Sequence, residues 1–412
     1  MATVALVGTL DTKGQDYAFL AGRLRAAGAG VIVVDAGTGT PSGLAPDIPA
    51  DQVAAAAGTT VEALRSAGDR GAAVTAMGRG AAALVSELAA AGRVDGVLAA
   101  GGSGGSSIAA QVMAALPVGL PKLLVSTMAS GDVSPYVGAK DVCVMYSVVD
   151  VAGVNRISRL VLGNAAAAMA GMALARARPQ TGEQAGGGSE LPLVAASMFG
   201  VTTPAVETAR SRLTGLGYEV LVFHATGAGG RALEALAEAR LLAGVLDLTT
   251  TELADDLVGG VLSAGPDRLT AAGAAGVPQV IAPGALDMVN FGPRETVPER
   301  FADRLLYVHN PTVTLMRTTV KEMAELGARV GRKAAAATGP TDVFWPDRGV
   351  SALDADGQPF FDATADAACR DALAAELRAA GQTMRRMDTH INDPVFAQAM
   401  ADRLDQMIQG RS

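Results

Sequence analysis

The stretch Val97–Ser107, VLAAGGSGGSS, stops an apolar run in four glycines and three serines and leads into the helix-compatible Ile108–Leu116. A strand that turns on glycines into a helix aims several backbone N–H groups, and the positive end of the helix dipole, at one spot. That spot suits a phosphate. Gly101, Gly102, Gly104 and Gly105 allow close approach, while Ser103, Ser106 and Ser107 offer hydroxyl donors or a helix cap. The order of residues matches neither GxxxxGK[ST] nor a first-strand GxGxxG, and a flexible loop of small residues is the competing reading.

Other polar side chains fall at the ends of apolar runs. Thr9, Asp11, Thr12 and Lys13 follow the first run, where Lys13 can neutralise a phosphate with two hydroxyls beside it. Asp35 ends the second run, the place where an acidic residue binds a ribose hydroxyl pair in doubly wound nucleotide sites. Ser126, Thr127, Ser130 and Asp132 crowd the turn STMASGD and can bring hydroxyls or a carboxylate to the same ligand or its metal ion; a helix cap explains part of this stretch equally well. Without GxGxxG after the first strand a hydride-carrying dinucleotide is disfavoured, and a mononucleotide is favoured over a bare sugar.

The second half carries HATGAGG, in which His224 ends an apolar run and Gly227, Gly229 and Gly230 open a helix. It can hold an anion, or place His224 as an acid or base. Glu252 and Asp255 share a turn with Thr249, Thr250 and Thr251, and Asp287, Asn290, His309, Asn310 and Arg317 occupy two others. Two of the three histidines of the chain thus fall at strand ends here. His224, Glu252, Asp287 and His309 are the candidate catalytic groups. A two-His and carboxylate metal site is chemically possible, but the spacing lacks HExxH or any comparable signature, and no metal is assigned. The competing reading is that these charges pair to lock the domain.

The elements that must position these groups alternate along the chain. Apolar strands at Thr3–Leu10, Val31–Val34, Val94–Ala100, Lys122–Ser126 and Asp141–Val148 alternate with helical stretches, among them Asp16–Ala27 and Asn155–Ala175. Short continuous apolar strands between helices are the pattern of a parallel sheet covered on both faces. After PQTGEQAGGGSE the rhythm restarts at Leu193–Ser197, Glu219–Phe223, Gly244–Leu248, Gln279–Ala282, Leu305–Val308 and Val343–Trp345, with polar turns at 283–290 and 309–312 and closing helices from Asp366 to Gln409. The expected fold class is α/β: two Rossmann-like domains with mainly parallel sheets, a cleft between them being the default binding site. Residues 1–180 form an N-terminal nucleotide-binding domain, 181–191 a linker, and 192–412 a C-terminal α/β domain with closing helices.

Composition narrows the classes. Of 412 residues half are apolar and 18% are charged, which is globular and more than one core usually supports. The formal charge of -8 argues against a polyanion-binding surface, so nucleic acid is not an expected partner. Cys143 and Cys369 make neither a disulfide framework nor a CxxC zinc site. The N-terminal run lacks the basic region and long apolar core of a signal peptide, and no run reaches the roughly 18 uninterrupted apolar residues of a membrane span. A cytoplasmic protein without a membrane partner is expected.

Longer blocks point to a family. GTLDTKG from Gly8, GGSGGSS from Gly101, STMASGDVSPYVG from Ser126, YSVVDVAGVNRIS from Tyr146, VFHATGAGGRALE from Val222, GVLDLTTTELAD from Gly244, PGALDMVNFG from Pro283 and HNPTVTLMRTT from His309 resemble one family. It is that of the ATP-binding inhibitory domain of a tomato protein conferring resistance to tomato mosaic virus, with its uncharacterised bacterial homologues. The resemblance runs from Thr3 to about Ala379 and fades after Gln382. It implies two α/β subdomains, ATP in the N-terminal one, with or without Mg2+, and a homodimer; the nucleotide turns become Thr9–Lys13, Gly101–Ser107 and Ser126–Asp132. The plant protein's further barrel domain and antiviral action are not carried over. Two functions then compete: chemistry on a small polar or acidic metabolite at the C-terminal rim, or a non-catalytic module that senses ATP.

Overall fold

The computed structural model describes residues 2–178 and 191–410, so the linker read at 181–191 lies outside the described residues except for Leu191. The chain divides into two compact units, Met1–Gly187 and Gly188–Ser412.

The first unit is a Rossmann-like layer structure. Its strands are β1 (Thr3–Gly8), β2 (Gly30–Asp35), β3 (Gly96–Gly101), β4 (Lys122–Ser126) and β5 (Val142–Tyr146), all parallel in the order β2-β1-β3-β4-β5. Alternation along each strand divides the core in two. Val4 and Leu6 of β1 join the layer of helices Leu10–Ala26 and Arg156–Ala177, whereas Ala5 and Val7 join that of Arg70–Ala90 and Ser103–Ala114. Both faces are therefore dry, which is why the strands read as unbroken apolar runs. The helix Arg156–Ala177 is long and apolar enough by composition to cross a membrane, yet it buries Leu162, Ala165, Met169 and Ala173 against this sheet.

One side chain ties the two central strands together beneath the glycine turn. Tyr17 is fully buried; its hydroxyl donates its one proton to Val7 O at 2.7 Å, with Ala100 O at 2.9 Å as the alternative acceptor, and accepts the Ala100 N–H at 2.9 Å. Burial pushes its pKa far up, so it stays a neutral donor. Gly8 makes this possible, since a Cβ there would stand 1.9 Å from the Tyr17 ring.

The second unit has a six-stranded parallel sheet in the order β14-β13-β9-β8-β6-β7, formed by β6 (Leu193–Met198), β7 (Glu219–His224), β8 (Gly244–Thr249), β9 (Gln279–Gly284), β13 (Thr341–Pro346) and β14 (Met384–Met387). One face packs Val194, Leu246 and Val280 against helices Thr203–Gly215 and Pro394–Ile408. A small antiparallel sheet is formed by β10 (Met288–Phe291), β12 (Val313–Arg317) and β11 (Leu306–Asn310): β11 contains most of the strand expected at Leu305–Val308, β10 overlaps the expected turn at 283–290, and β12 follows the turn at 309–312. Its strands bury Val289, Phe291, Leu315 and Met316 within the domain. The closing segment is also not all helix: β14 interrupts it between Ala363–Ala379 and Pro394–Ile408, pairing with β13.

Candidate functional site

Because β2, β1 and β3 are neighbours in the first sheet, their carboxyl ends bring three turns side by side. They open on a pocket of about 570 Å³. Thr9, Asp11, Thr12 and Lys13 line it from the β1 turn, Gly102, Ser103, Gly104 and Gly105 from the β3 turn, and Gly37 and Thr38 from the β2 turn. The helix Ser103–Ala114 starts here from an extended Gly102 with no side-chain cap. Its first-turn N–H groups thus face the pocket with the positive end of the helix dipole behind them. The opposite wall is apolar, built by Leu64, Val74, Met77 and Ile108. A polar floor of helix N–H groups against an apolar wall fits a nucleotide's phosphates and base.

Supporting contacts define which predicted residues belong to this pocket. Asp11 accepts the Gly39 N–H at 2.7 Å, and the hydroxyls of Thr9 and Thr12 are 3.0 Å apart. The Lys13 ammonium donates to Val151 O. Asp35 lies beneath the pocket and does not line it: its Oδ1 accepts N–H groups of Leu10 at 3.1 Å and Gly37 at 2.9 Å, which binds the β1 and β2 turns together. Burial raises its pKa. Gly101 is buried at the end of β3, and Ser107 donates to Ser103 O at 2.9 Å. The hydroxyls of Ser106 and Ser126 bond each other at 2.7 Å in the interior, and Ser126 accepts the Met128 N–H. Thr127 lines a separate recess with Tyr146 and Asp150. Asp132 accepts the Ser134 N–H at 2.9 Å, and bonds from the Ser134 hydroxyl and then its N–H hold its pKa down.

Two cations of the pocket were missed, along with its apolar wall. Arg65 and Arg70 come from the helices Val61–Ala67 and Arg70–Ala90, which fold back over the strand ends. In sequence they look like solvated helix charges, and only the tertiary packing brings them here.

In the second domain the HATGAGG turn is already filled. Gly227 and Gly230 donate their N–H groups to Glu252 Oε1 at 2.7 and 3.0 Å, and Arg268 Nε donates to Oε2 at 2.6 Å. The guanidinium also pairs with Asp247 at 2.5 Å and Glu234 at 2.9 Å, and Asp247 accepts the Ser197 hydroxyl at 2.7 Å. Burial opposes the charge of Arg268, but these carboxylates outweigh it and hold its pKa well above the ordinary value. Thr249, Thr250 and Thr251 are buried and hydrogen-bonded as well.

The four candidate catalytic groups do not converge. Glu252 is buried under the turn that follows His224, while the His224 side chain is exposed at the end of the edge strand β7. His309 is exposed at the register shift of β11. Asp287 is buried in a different cluster, where its Oδ2 accepts the Ser351 hydroxyl at 2.8 Å and its Oδ1 has no partner. Burial, reinforced by the charge of Asp354, pushes its pKa up to about 8. Arg317 beside it pairs with Asp366 at 3.0 Å and Asp354 at 3.4 Å. Asp255 accepts the Asn290 backbone N–H at 2.6 Å and side-chain amide at 2.9 Å, yet burial lifts its pKa to about 7. The third histidine, His390, accepts the Asn392 N–H at Nδ1, so Nε2 carries the proton donated to Ser351 O. Among the described residues no group of three His, Cys, Asp or Glu side chains is placed to hold a metal ion.

Comparison with known proteins agrees with the two-domain division. Residues 2–178 match the N-terminal domain and residues 191–408 the C-terminal domain of an uncharacterised protein family, UPF0261. A UPF0261 protein of Clostridium tetani is 48% identical over 406 residues, 98% of this chain and 99% of the relative. The ToMV resistance protein Tm-1(GCR237) of Solanum lycopersicum is 39% identical over 419 residues, 97% of this chain and 55% of the tomato protein. Among solved structures, the spinosyn rhamnosyltransferase SpnG complexed with thymidine diphosphate aligns over 100% of this chain and 96% of its own at 14% identity and a TM-score of 0.22, which carries no argument about function.

Proposed function

The chain belongs to the UPF0261 family, and for this member we propose that the N-terminal domain binds a nucleoside triphosphate, ATP, in the pocket at the ends of β1, β2 and β3. The observation that carries this is the pocket itself: uncapped helix N–H groups, three cations and an apolar wall surround one volume of about 570 Å³. The choice of adenine comes from the family resemblance. Any Mg2+ arrives with the triphosphate, and Asp11, Thr9 and Thr12 are the oxygen donors on the wall that suit it.

For the second domain the self-satisfied rim favours a module that responds to the nucleotide over an enzyme acting on a small acidic metabolite. Glu252 is fully buried and engages both oxygens with backbone and guanidinium partners, so it is held away from any substrate proton at the surface. A homodimer and a cytoplasmic location belong to the same reading, on the family resemblance and the sequence. Calorimetry with ATP on the wild type, Gly104→Val and Lys13→Ala tests the placement: binding is expected in the wild type and loss in both variants. Wild-type affinity in a folded Gly104→Val protein would overturn it. ATP turnover abolished by His224→Ala would instead restore the enzymatic reading.

A further inference from the structure

We propose that Arg70 reads the number of phosphates on the nucleotide by binding the phosphoryl group beyond those held at the glycine turn; this rests on the nucleotide reading of the pocket. Three cations line that pocket, and they are not equivalent. Lys13 donates to Val151 O, and Arg65 Nε donates to Thr38 O, so each holds a turn in place. The guanidinium of Arg70, exposed at the rim, has no hydrogen bond or ion pair among the described residues. Its Nη2 lies 3.8 Å from where a Cβ on Gly104 would stand, directly over the glycine turn.

The backbone beneath Arg70 is set firmly. Gly68 turns with φ of 65°, and Asp69 caps the helix Arg70–Ala90 by accepting the Ala72 N–H at 3.0 Å. Asp69 also lines the pocket, but that bond occupies its Oδ1, and among the described residues no ion pair joins it to Arg70. One and two turns further along, Val74 and Met77 face the same volume. The helix therefore offers a guanidinium first and an apolar surface after it, the order of a phosphate chain and its nucleoside. A guanidinium fork matches two phosphate oxygens, which a lysine cannot do.

The test is calorimetric binding of ATP, ADP and AMP, each with Mg2+, to the wild type, Arg70→Ala and Arg70→Lys, with melting curves as the fold control. The wild type should prefer ATP to ADP and ADP to AMP. Arg70→Ala should lose about tenfold or more on ATP, as expected for a charge-assisted bond, and little on AMP; Arg70→Lys should recover part of that loss. If the wild type binds none of the three, the nucleotide reading falls and this inference with it. If the wild type binds and Arg70→Ala keeps the same ratios among the three ligands, or loses all three equally, the nucleotide reading stands and the role of Arg70 is overturned.

Discussion

Two glycine-rich turns in this chain leave a parallel sheet and enter a helix, and they meet different fates. Gly102–Gly105 opens on a pocket with its first-turn N–H groups facing the open volume. Gly227–Gly230 points the same kind of N–H groups at Glu252, a carboxylate delivered from the end of β8 and locked by Arg268. The first domain has an equivalent acid in Asp11, but it turns toward Gly39 and leaves the glycine turn open. An anion-binding turn read from sequence therefore announces an anion without saying where it comes from. The source is decided by whether another strand end of the same sheet delivers a carboxylate to the turn, as the end of β8 does across β6.

Removing the internal anion should have the largest effect. Glu252→Ala strips Gly227, Gly230 and Arg268 of an acceptor and should cost about 3–5 kcal/mol in urea unfolding of the second domain, the usual result of breaking a buried pair. Sulfate should stabilise this variant more than the wild type by refilling the vacated turn; equal stability of the two proteins would break the comparison. Glycine substitutions sharpen it. A Cβ on Gly230 would stand 2.2 Å from Glu252 Oε2, whereas one on Gly104 meets nothing closer than 3.7 Å. Gly230→Ala should therefore lower the melting temperature markedly. Gly104→Val should leave it within a few degrees, under about 1 kcal/mol, while ATP affinity falls at least about tenfold.

A smaller effect follows from the neutral acids of the second domain. Asp287 and Asp255 have folded pKa values raised by burial to about 8 and about 7, well above the ordinary carboxylate range. Folding thus takes up protons, and the stability from these groups is fully present below about pH 4 and lost as pH rises through about 7 to 8. Melting temperature should fall between those limits, and Asp287→Asn should flatten part of the slope. A melting temperature that climbs steadily over this range would contradict the assignment. Smallest is Tyr17→Phe, which removes the bridge between β1 and β3 at a cost of about 1 kcal/mol in chemical denaturation.

The parallel strands were legible because burial on both faces forces unbroken apolar runs, as in Thr3–Gly8 and Gly96–Gly101. Of the antiparallel sheet only β11 was legible, as the run Leu305–Val308; β10 has four residues overlapping an expected turn, and β12 follows the polar turn that ends β11. In β14, Arg385 and Arg386 sit between Met384 and Met387, and an edge strand with two exposed arginines carries no apolar signal. At the candidate site the turns were readable from strand ends, and the pocket joins those after β1, β2 and β3. Its arginines, and the bond between Glu252 and a guanidinium at Arg268, depend on packing that no local spacing encodes. Asp35 was legible as a buried strand-end acid but not as the clasp between two turns.

The central claim is that one glycine turn awaits a ligand and the other is closed by the protein itself. Amide spectra of glycine-labelled protein titrated with ATP and Mg2+ address both turns in a single experiment. The account predicts saturable shifts at Gly102, Gly104 and Gly105 with Gly227, Gly229 and Gly230 unmoved. Shifts confined to Gly227–Gly230, or no response at Gly102–Gly105 at saturating ATP, would contradict it.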